Sequence, residues 1–291
     1  MRNWPPEAEP LLSIRCTTYN HARYIEDALE GFLIQETNFP FEIIVHDDAS
    51  TDGTAAIVRE YAAAYPRIIR PILQTENQYS RGKKIGGLLA TLCRGKYVAV
   101  CEGDDFWTDP HKLAIQVDFL EKHPDYVISG HDAFVIDEHG NRIRGSRLPD
   151  RHKRDFTAEE LILGKTWIPT MSRIYRNVLG ESPLEQTMVI NGDAFFASLI
   201  GHFGKSKYHP EILPAAYRKH AGGVWSMVSA RERIDQQINT QFWLYRYYSR
   251  TGQPRYAHHY WRRYLGYVFR ATSSAELLSA LFRRWLRWGL R

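Results

Sequence analysis

The chain has 291 residues, of which 44% are hydrophobic and 24% are charged, and its formal net charge is +5. This composition is typical of a globular protein that is long enough to bury a sizeable core in one large domain or two modest ones. Because no apolar run reaches the ~18 residues that a membrane span needs, the sequence argues against an integral membrane protein.

The cysteines and the N-terminal stretch indicate the compartment. Cys16, Cys93 and Cys101 have apolar neighbours and no metal-ligand spacing, so we expect buried thiols in a reducing environment. The first ten residues contain prolines and glutamates instead of the basic and then apolar pattern of a signal peptide. We therefore expect a cytoplasmic protein.

The first half of the chain alternates apolar strands with amphipathic helices. The pattern predicts strands within residues 11–20, 41–46, 68–73, 96–101 and 126–136, and helices after residue 24 and over 55–65, 86–93 and 112–122. Such alternation predicts a parallel sheet with right-handed crossovers.

Two later regions differ in composition. Residues 142–154 are basic, contain proline and lack periodicity, which predicts a mobile surface loop that either covers a site or is a solvated connection. From about residue 230 long helical patterns are rich in aromatic residues and arginine, and Gly252 and Pro254 divide them in two. We place a domain boundary near Ser226, which separates residues 1–226 from 227–291.

Three carboxylates, those of Glu102, Asp104 and Asp105, directly follow the predicted strand at 96–101. Ligands of open α/β sheets bind beyond the carboxyl ends of the strands, and hard oxygen ligands suit Mg²⁺ or Mn²⁺. The cluster indicates a site for a divalent cation that binds a phosphate group. The alternative is a solvated acidic turn.

Five motifs in this order resemble family 2 glycosyltransferases with the GT-A fold. They are Thr17-Thr-Tyr-Asn20, the stretch 43–54, Glu102-Gly-Asp-Asp105, the stretch 191–196 and the stretch 217–225. The resemblance covers roughly residues 10–226. It implies an α/β fold with a mostly parallel, Rossmann-like sheet flanked by helices, followed by a helical C-terminal extension.

The resemblance also implies residues that bind the donor. Thr17 and Tyr19 would contact the edge of the nucleobase, and the Asp48 carboxylate would accept a hydrogen bond from the base. The alternative for Thr17 and Tyr19 is that they only form the turn that follows the strand. For Asp48 the alternative is a helix cap, a role that Ser50 or Asp52 could fill instead.

For the metal, the family usually has Asp-x-Asp or Asp-x-Asp-Asp where this chain has Glu102-Gly-Asp-Asp105. Alignment through residues 109–113 implies that Asp105 binds a divalent metal, Mn²⁺ or Mg²⁺, which bridges the diphosphate, and that Asp104 lies near the ribose. His220 precedes two glycines of a closing loop and would complete the metal shell or touch the phosphates. A structural histidine is the alternative.

Asp193 precedes an apolar pattern and should lie at or near a helix start. The resemblance implies that it is the catalytic base, which takes the proton of an acceptor hydroxyl and leads to inversion at the anomeric carbon. The alternative is a carboxylate that only stabilises the helix N-terminus. Thr170 would line the sugar pocket, and Trp225 would stack on the sugar or anchor the closing loop.

The C-terminal tail is strongly basic. After Thr251 the charged residues are eight arginines and the single acid Glu276. Residues 275–291 place apolar side chains along one side of a helix, a pattern typical of an interfacial helix at an anionic membrane surface. The alternative is a helix that packs on protein. Because no nucleic-acid-reading motif accompanies the charge, we expect no nucleic-acid partner.

Together these features predict an inverting, metal-dependent glycosyltransferase. It would move a sugar from a nucleotide-sugar donor to a hydroxyl of a glycan or lipid-linked glycan acceptor in bacterial surface polysaccharide or lipopolysaccharide synthesis. It would act in the cytoplasm, with peripheral attachment to the inner face of the plasma membrane. The alternatives are a hydrolase or nucleotidyltransferase, and a non-catalytic sugar- or nucleic-acid-binding protein on a degenerate GT-A scaffold.

Overall fold

The computed structural model describes residues 4–5, 8–223 and 228–272. The chain divides into two compact units: unit 1 contains Met1–Ser182 and Ala197–Gly222, and unit 2 contains Pro183–Phe196 and Gly223–Arg291. No helix among the described residues is both long and apolar enough to cross a bilayer. The predicted interfacial helix at 275–291 and Trp225 lie outside the described residues.

Unit 1 is built on two sheets. Its strands are β1 Leu12–Thr18, β2 Phe41–Asp47, β3 Ile69–Leu73, β4 Tyr97–Val100, β5 Tyr126–Gly130, β6 Ala133–Ile136, β7 Arg142–Arg144, β8 Ile174–Arg176, β9 Lys205–Tyr208 and β10 Ala215–Arg218. The large sheet has the order β3-β2-β1-β4-β8-β5-β9, and the small one has the order β10-β6-β7. All pairs of the large sheet are parallel except those of β8 with β4 and β5.

The described residues also form helices in both units. They are α1 Ile25–Leu33, α2 Thr54–Ala64, α3 Ile85–Ala90, α4 Lys112–Lys122, α5 Ala158–Ile162, α6 Leu184–Met188, α7 Gly192–Ile200, α8 Ala230–Arg250 and α9 Pro254–Ala271. In α1 the apolar side chains of Ile25, Ala28, Leu29 and Phe32 recur at helical spacing, and all four are fully buried in the core. The predicted mostly parallel α/β architecture is therefore confirmed.

Two sequence predictions about regular structure are wrong. The single strand predicted at 126–136 is two strands, β5 and β6, which belong to different sheets. Gly130 ends β5 where the Ile168 side chain packs closely, since a Cβ there would come within 2.4 Å of it. The region 142–154, predicted to lack regular structure, contains β7 and a 3-10 turn at Asp150–His152.

Unit 2 contains the two predicted C-terminal helices, α8 and α9. Ser229 begins α8 with a capping box that it forms with Glu232. Gly252, with a φ of 69°, ends the helix, and Pro254 starts the next one at a position where its missing N–H is tolerated. The helices pack through aromatic side chains, and the rings of Tyr248 and Tyr260 stack with centroids 5.6 Å apart.

Candidate active site

The acidic turn lies where the strand order of the large sheet reverses. From β1 the chain proceeds to β2 and β3 on one side and then crosses to β4 on the other side of β1. In open α/β sheets this switch point forms a crevice beyond the carboxyl ends of the strands. The turn after β4 is drawn against the end of β1, since the Gly103 N–H donates to the Thr17 carbonyl at 2.9 Å.

Glycine is required in this turn by close packing. A Cβ on Gly103 would lie 2.8 Å from Cβ of Thr18 and 2.9 Å from Cδ1 of Ile25. Because both neighbours belong to buried elements, a larger residue would push the turn away from β1. The glycine thus fixes where the carboxylates on either side of it lie.

Arg218, at the end of β10, holds the acidic turn from the other side. Its backbone N–H donates to Asp105 Oδ1 at 2.9 Å, and its Nε donates to the Asp104 carbonyl at 3.1 Å. Its Nη2 donates to Asp27 Oδ2 at 2.6 Å. The side chain is only 4% exposed. No local pattern in the sequence identifies this role, because the contacts join residues more than 100 positions apart.

Two histidines flank Asp104. His220 Nε2 lies 3.0 Å from Asp104 Oδ2, and His21 Nε2 lies 3.9 Å from the same oxygen. The two imidazole rings meet edge to face, with centroids 5.7 Å apart. The sequence singled out His220 but not His21, which directly follows the Thr17-Thr-Tyr-Asn20 motif.

The charges of the site are crowded. Burial, together with the nearby charges of Asp104 and Glu102, raises the pKa of Asp105 well above its usual range. Burial acts in the same direction on Asp104, but the hydrogen bond with His220 and the charge of His21 outweigh it and lower the pKa of that carboxyl. A carboxylate cluster of this kind is stabilised by a bound cation, which reverses the local electrostatics.

These residues fit a divalent metal ion. Ligand atoms of His21, Asp104 and His220 all lie within 4.8 Å of one another, and so do those of Glu102, Asp104 and Asp105. In addition, Asp105 Oδ2 is buried and has no hydrogen-bond partner among the described residues. Asp105 itself is only 1% exposed, whereas the Asp104 side chain is 18% exposed.

Asp48 lies just beyond the end of β2 and forms hydrogen bonds with the loop that contains Gln78 and Tyr79. Its two carboxylate oxygens accept the backbone N–H groups of Gln78 at 2.8 Å and Tyr79 at 2.9 Å. The N-cap residue of α2 is Gly53, and Asp52 just before it accepts the N–H and hydroxyl of Thr54 with Oδ1. The base-binding role of Asp48 stays a prediction.

The other predicted donor-binding residues lie at the same edge of the sheet or near it. Thr17 is half-buried at the end of β1, and Tyr19 directly after β1 is 44% exposed. Thr170 is half-buried in the 3-10 turn Thr170–Ser172. This turn adjoins the acidic turn, because the indole N–H of Trp107 donates to the Met171 carbonyl at 2.6 Å.

Arg147 belongs to the basic region that was predicted to be a mobile loop. Its guanidinium lies over the Tyr217 ring, 3.2 Å from the centroid, and its positive charge acts on Asp105. The Nε atom is buried and has no hydrogen-bond partner among the described residues. A guanidinium held by ring stacking keeps its donors available for an anion.

Asp193, the predicted base, belongs to unit 2. It lies in the first turn of α7, at the helix start that the sequence pattern predicted, and its side chain is exposed. The preceding segment is fixed within unit 2, since the Ile190 N–H donates to Asn239 Oδ1 at 2.8 Å. Its catalytic role stays a prediction.

Comparison with known proteins agrees with this fold. The solved structure of TarS residues 1–349 from S. aureus with UDP-GlcNAc is similar at a TM-score of 0.61 and 17% identity, over 88% of this chain and 72% of that 1–349 chain. The mannosyltransferase PcManGT from Pyrobaculum calidifontis, solved with GDP-Man and Mn²⁺, is similar at a TM-score of 0.54 and 19% identity, over 98% of this chain and 82% of that one.

The sequence has closer relatives. The protein Rv1520 of Mycobacterium tuberculosis is 38% identical over 217 residues, which are 74% of this chain and 60% of the relative. The chain therefore spans only about three fifths of that relative's length. The amylovoran biosynthesis glycosyltransferase AmsE of Erwinia amylovora is 28% identical over 141 residues, which are 48% of this chain and 51% of AmsE. The model of glycosyl transferase family 2 matches residues 13–178, more than half of the chain, and the chain belongs to this family.

Proposed function

We propose that the chain is an inverting, metal-dependent glycosyltransferase. It uses a nucleoside-diphosphate sugar as donor and a hydroxyl of a glycan or lipid-linked glycan as acceptor. The observation that carries this proposal is the group of carboxylates and imidazoles around Asp104, at the switch point of the sheet. The AmsE relative, named for amylovoran biosynthesis, supports a role in the synthesis of a bacterial surface polysaccharide.

In this proposal Asp104 and His220 hold the divalent cation. Sequence alignment favoured Asp105 for this role, but the 3.0 Å distance between His220 Nε2 and Asp104 Oδ2 supports Asp104. Asp105, which accepts the Arg218 N–H with one oxygen, keeps the turn in place. When bound, Mn²⁺ or Mg²⁺ would neutralise the charge that develops on the departing nucleoside diphosphate.

The remaining residues bind and orient the donor. Thr17 and Tyr19 contact the edge of the nucleobase, and the Asp48 carboxylate accepts a hydrogen bond from the base with its remaining lone pairs. Thr170 lines the sugar pocket next to the acidic turn. Arg147, whose Nε has no partner among the described residues, donates to an anionic oxygen of the diphosphate.

Asp193 takes the proton of the acceptor hydroxyl. Its side chain is an exposed carboxylate in the first turn of α7, and a positioned carboxylate is a group that can serve as such a base. Direct attack by the acceptor on the face opposite the leaving diphosphate inverts the anomeric centre. A single carboxylate base is sufficient for such a displacement.

Titration calorimetry with UDP, GDP, dTDP and CDP, each with and without Mn²⁺, tests the proposal. We expect one nucleotide to bind only with the metal, and Asp104→Asn to abolish this binding. Asp118→Asn is the matched control, since Asp118 is 61% exposed and pairs with Lys122 on the surface of α4. Absence of nucleotide binding in every condition would contradict the proposal and favour a sugar-binding protein without transferase activity.

Peripheral membrane attachment belongs to the same proposal. The sequence of residues 275–291, with four arginines and one glutamate, supports it, because each arginine near an anionic surface contributes about 1 kcal/mol. Co-sedimentation with vesicles that contain anionic lipid should be weaker for a chain that ends at Ala271 than for the full chain. Equal binding by the two chains would remove this part of the proposal.

A further inference from the structure

We propose that His21 is a third protein ligand of the cation. The site would then consist of two imidazoles and one carboxylate, and it would prefer a first-row transition ion such as Mn²⁺ or Co²⁺ over Mg²⁺. This inference rests on the proposed function, because it concerns the same cation. It goes further by adding a ligand from the first loop of the chain and by predicting which class of metal binds.

The distances allow all three side chains to share one ion. His21 Nε2 and His220 Nε2 lie 3.9 Å and 3.0 Å from Asp104 Oδ2, and ligand atoms of the three residues lie within 4.8 Å of one another. Protein ligands at metal bonds of about 2.0–2.2 Å stand at most about 4.4 Å apart. Shifts of a few tenths of an ångström would therefore bring all three onto one ion.

The imidazole of His21 is not satisfied by the protein. Its Nε2 is too far from Asp104 for a hydrogen bond, and its Nδ1 is buried without a hydrogen-bond partner among the described residues. The side chain is only 14% exposed. An ion between His21, Asp104 and His220 would give the ring a partner at Nε2, the nitrogen that lies 3.9 Å from Asp104 Oδ2.

The fold holds His21 at this place through the loop that precedes α2. The His21 N–H donates to Thr54 Oγ1 at 2.9 Å. Its two neighbours are held as well, since the Asn20 N–H donates to Ser50 Oγ at 2.8 Å and the Ala22 N–H donates to Asp52 Oδ2 at 2.9 Å. Three consecutive backbone groups are thus fixed by one loop, which positions the imidazole before any ion binds.

The ligand types determine the preferred metal. Mg²⁺ prefers oxygen ligands and retains several waters, whereas first-row transition ions bind imidazole nitrogen more readily, with an affinity that rises from Mn²⁺ to Co²⁺. Two histidines with one carboxylate are a ligand set typical of such ions. A site that contained only carboxylates would not favour a transition ion over Mg²⁺ in this way.

The experiment measures metal binding to the full chain and counts the nitrogen ligands. Pulsed electron paramagnetic resonance of bound Mn²⁺ detects coupling to ¹⁴N of coordinated imidazole. We expect two histidine nitrogens in the wild type and one in either His21→Gln or His220→Gln. We also expect each substitution to weaken Mn²⁺ binding about tenfold or more, with a smaller effect on Mg²⁺. His139→Gln is the matched control, because that side chain is 65% exposed.

The outcomes separate this inference from the proposed function. A wild-type spectrum with only one nitrogen, or unchanged Mn²⁺ affinity in His21→Gln, would overturn the role of His21 even if nucleotide binding needs Mn²⁺. Conversely, two nitrogens on Mn²⁺ without binding of any nucleoside diphosphate would leave this inference standing and contradict the transferase proposal. The wild-type spectrum decides the question even if a variant fails to fold.

Discussion

Arg218 is the residue on which the geometry of the acidic turn depends. It contacts Asp105 through its backbone and both Asp104 and Asp27 through its guanidinium. The same guanidinium lies over the Tyr24 ring, 4.6 Å from the centroid. Since it touches the backbone and not the carboxylate of Asp104, we regard it as a positioning residue that orients the metal ligands.

Replacement of Arg218 by alanine should therefore weaken metal-dependent binding without removing any ligand. We expect Arg218→Ala to lower the affinity for Mn²⁺ and for the nucleotide by about 10–100-fold, which is typical of residues that orient metal ligands. Titration calorimetry measures both affinities. Arg23→Ala is the control, because the Arg23 side chain is 65% exposed and should leave them unchanged. Wild-type affinities in Arg218→Ala would show that the turn holds its shape by itself.

At the scale of single residues, the sequence predicted several residues of the candidate site but not the contacts that those residues make with one another. Asp104, Asp105 and His220 were identified because they belong to motifs of fixed order. Their neighbours His21, Arg147 and Arg218 were not assigned, since their roles depend on contacts between distant parts of the chain. The hydrogen bond from Arg218 to Asp27, for example, joins residues separated by 191 positions.

At the scale of elements, α4 carries an unusual feature, a fully buried lysine. Lys112 is 0% exposed, and its ammonium donates to Gln116 Oε1 at 2.7 Å. Gln116 in turn donates to Ser129 Oγ and to the Ser172 carbonyl. The ammonium also lies 4.3 Å from the centroid of the Trp107 ring. The helix is thereby linked to β5 and to the turn that follows β4.

Burial lowers the pKa of Lys112 to about 7, and the nearby Cys101 and Asp109 oppose this only in part. Below pH 7 the lysine is charged in both the folded and the unfolded chain, and burial of this charge destabilises the folded protein. Between pH 7 and the usual lysine value of about 10.4 the unfolded chain binds more protons, so this unfavourable contribution disappears as the pH rises.

We therefore expect Lys112→Met to be more stable than the wild type at pH 6, by about 1–4 kcal/mol, and the difference to shrink towards pH 10. Urea denaturation at several pH values measures it. Lys122→Met, in the last turn of the same helix, is the control, because that side chain is 67% exposed. It should stay within about 0.5 kcal/mol of the wild type throughout. A pH-independent difference for Lys112→Met would contradict the assigned pKa.

The elements were predictable where their patterns were long. β4 is a continuous apolar run, β1 and β2 are rich in apolar and β-branched residues, and α1, α4, α8 and α9 have several turns of helical periodicity. The three-residue strand β8 offers no period of its own, and only its pairing with β4 and β5 makes it a strand. Likewise, residues 126–136 alternate loosely enough to predict one strand, and only the pairing of β5 and β6 in different sheets separates them.

At the scale of the whole molecule, the proposed functions fall on different units. The candidate metal ligands His21, Asp104 and His220 belong to unit 1, and the candidate base Asp193 belongs to unit 2. Binding of the donor and transfer of the sugar can therefore be separated by substitution. Such a separation also tests the roles that the sequence assigned to Asp193 and to the acidic turn.

Thermal unfolding provides the measurement of binding. A ligand at 100 times its Kd stabilises the folded state by about 2.7 kcal/mol, which should raise Tm by several degrees. With Mn²⁺ and the matching nucleoside diphosphate, we expect this rise in the wild type and in Asp193→Asn, and its loss in Asp104→Asn.

Release of nucleoside diphosphate from the sugar donor in the presence of acceptor measures transfer. Asp193→Asn cannot take the acceptor proton, so we expect it to bind the nucleotide normally and to lose at least about 100-fold in turnover. Asp193→Glu, which keeps the carboxylate at a changed distance, should retain part of the activity. If Asp193→Asn turned over like the wild type, another group would have to be the base. If it lost nucleotide binding as well, Asp193 would contribute to the donor site instead of accepting the proton.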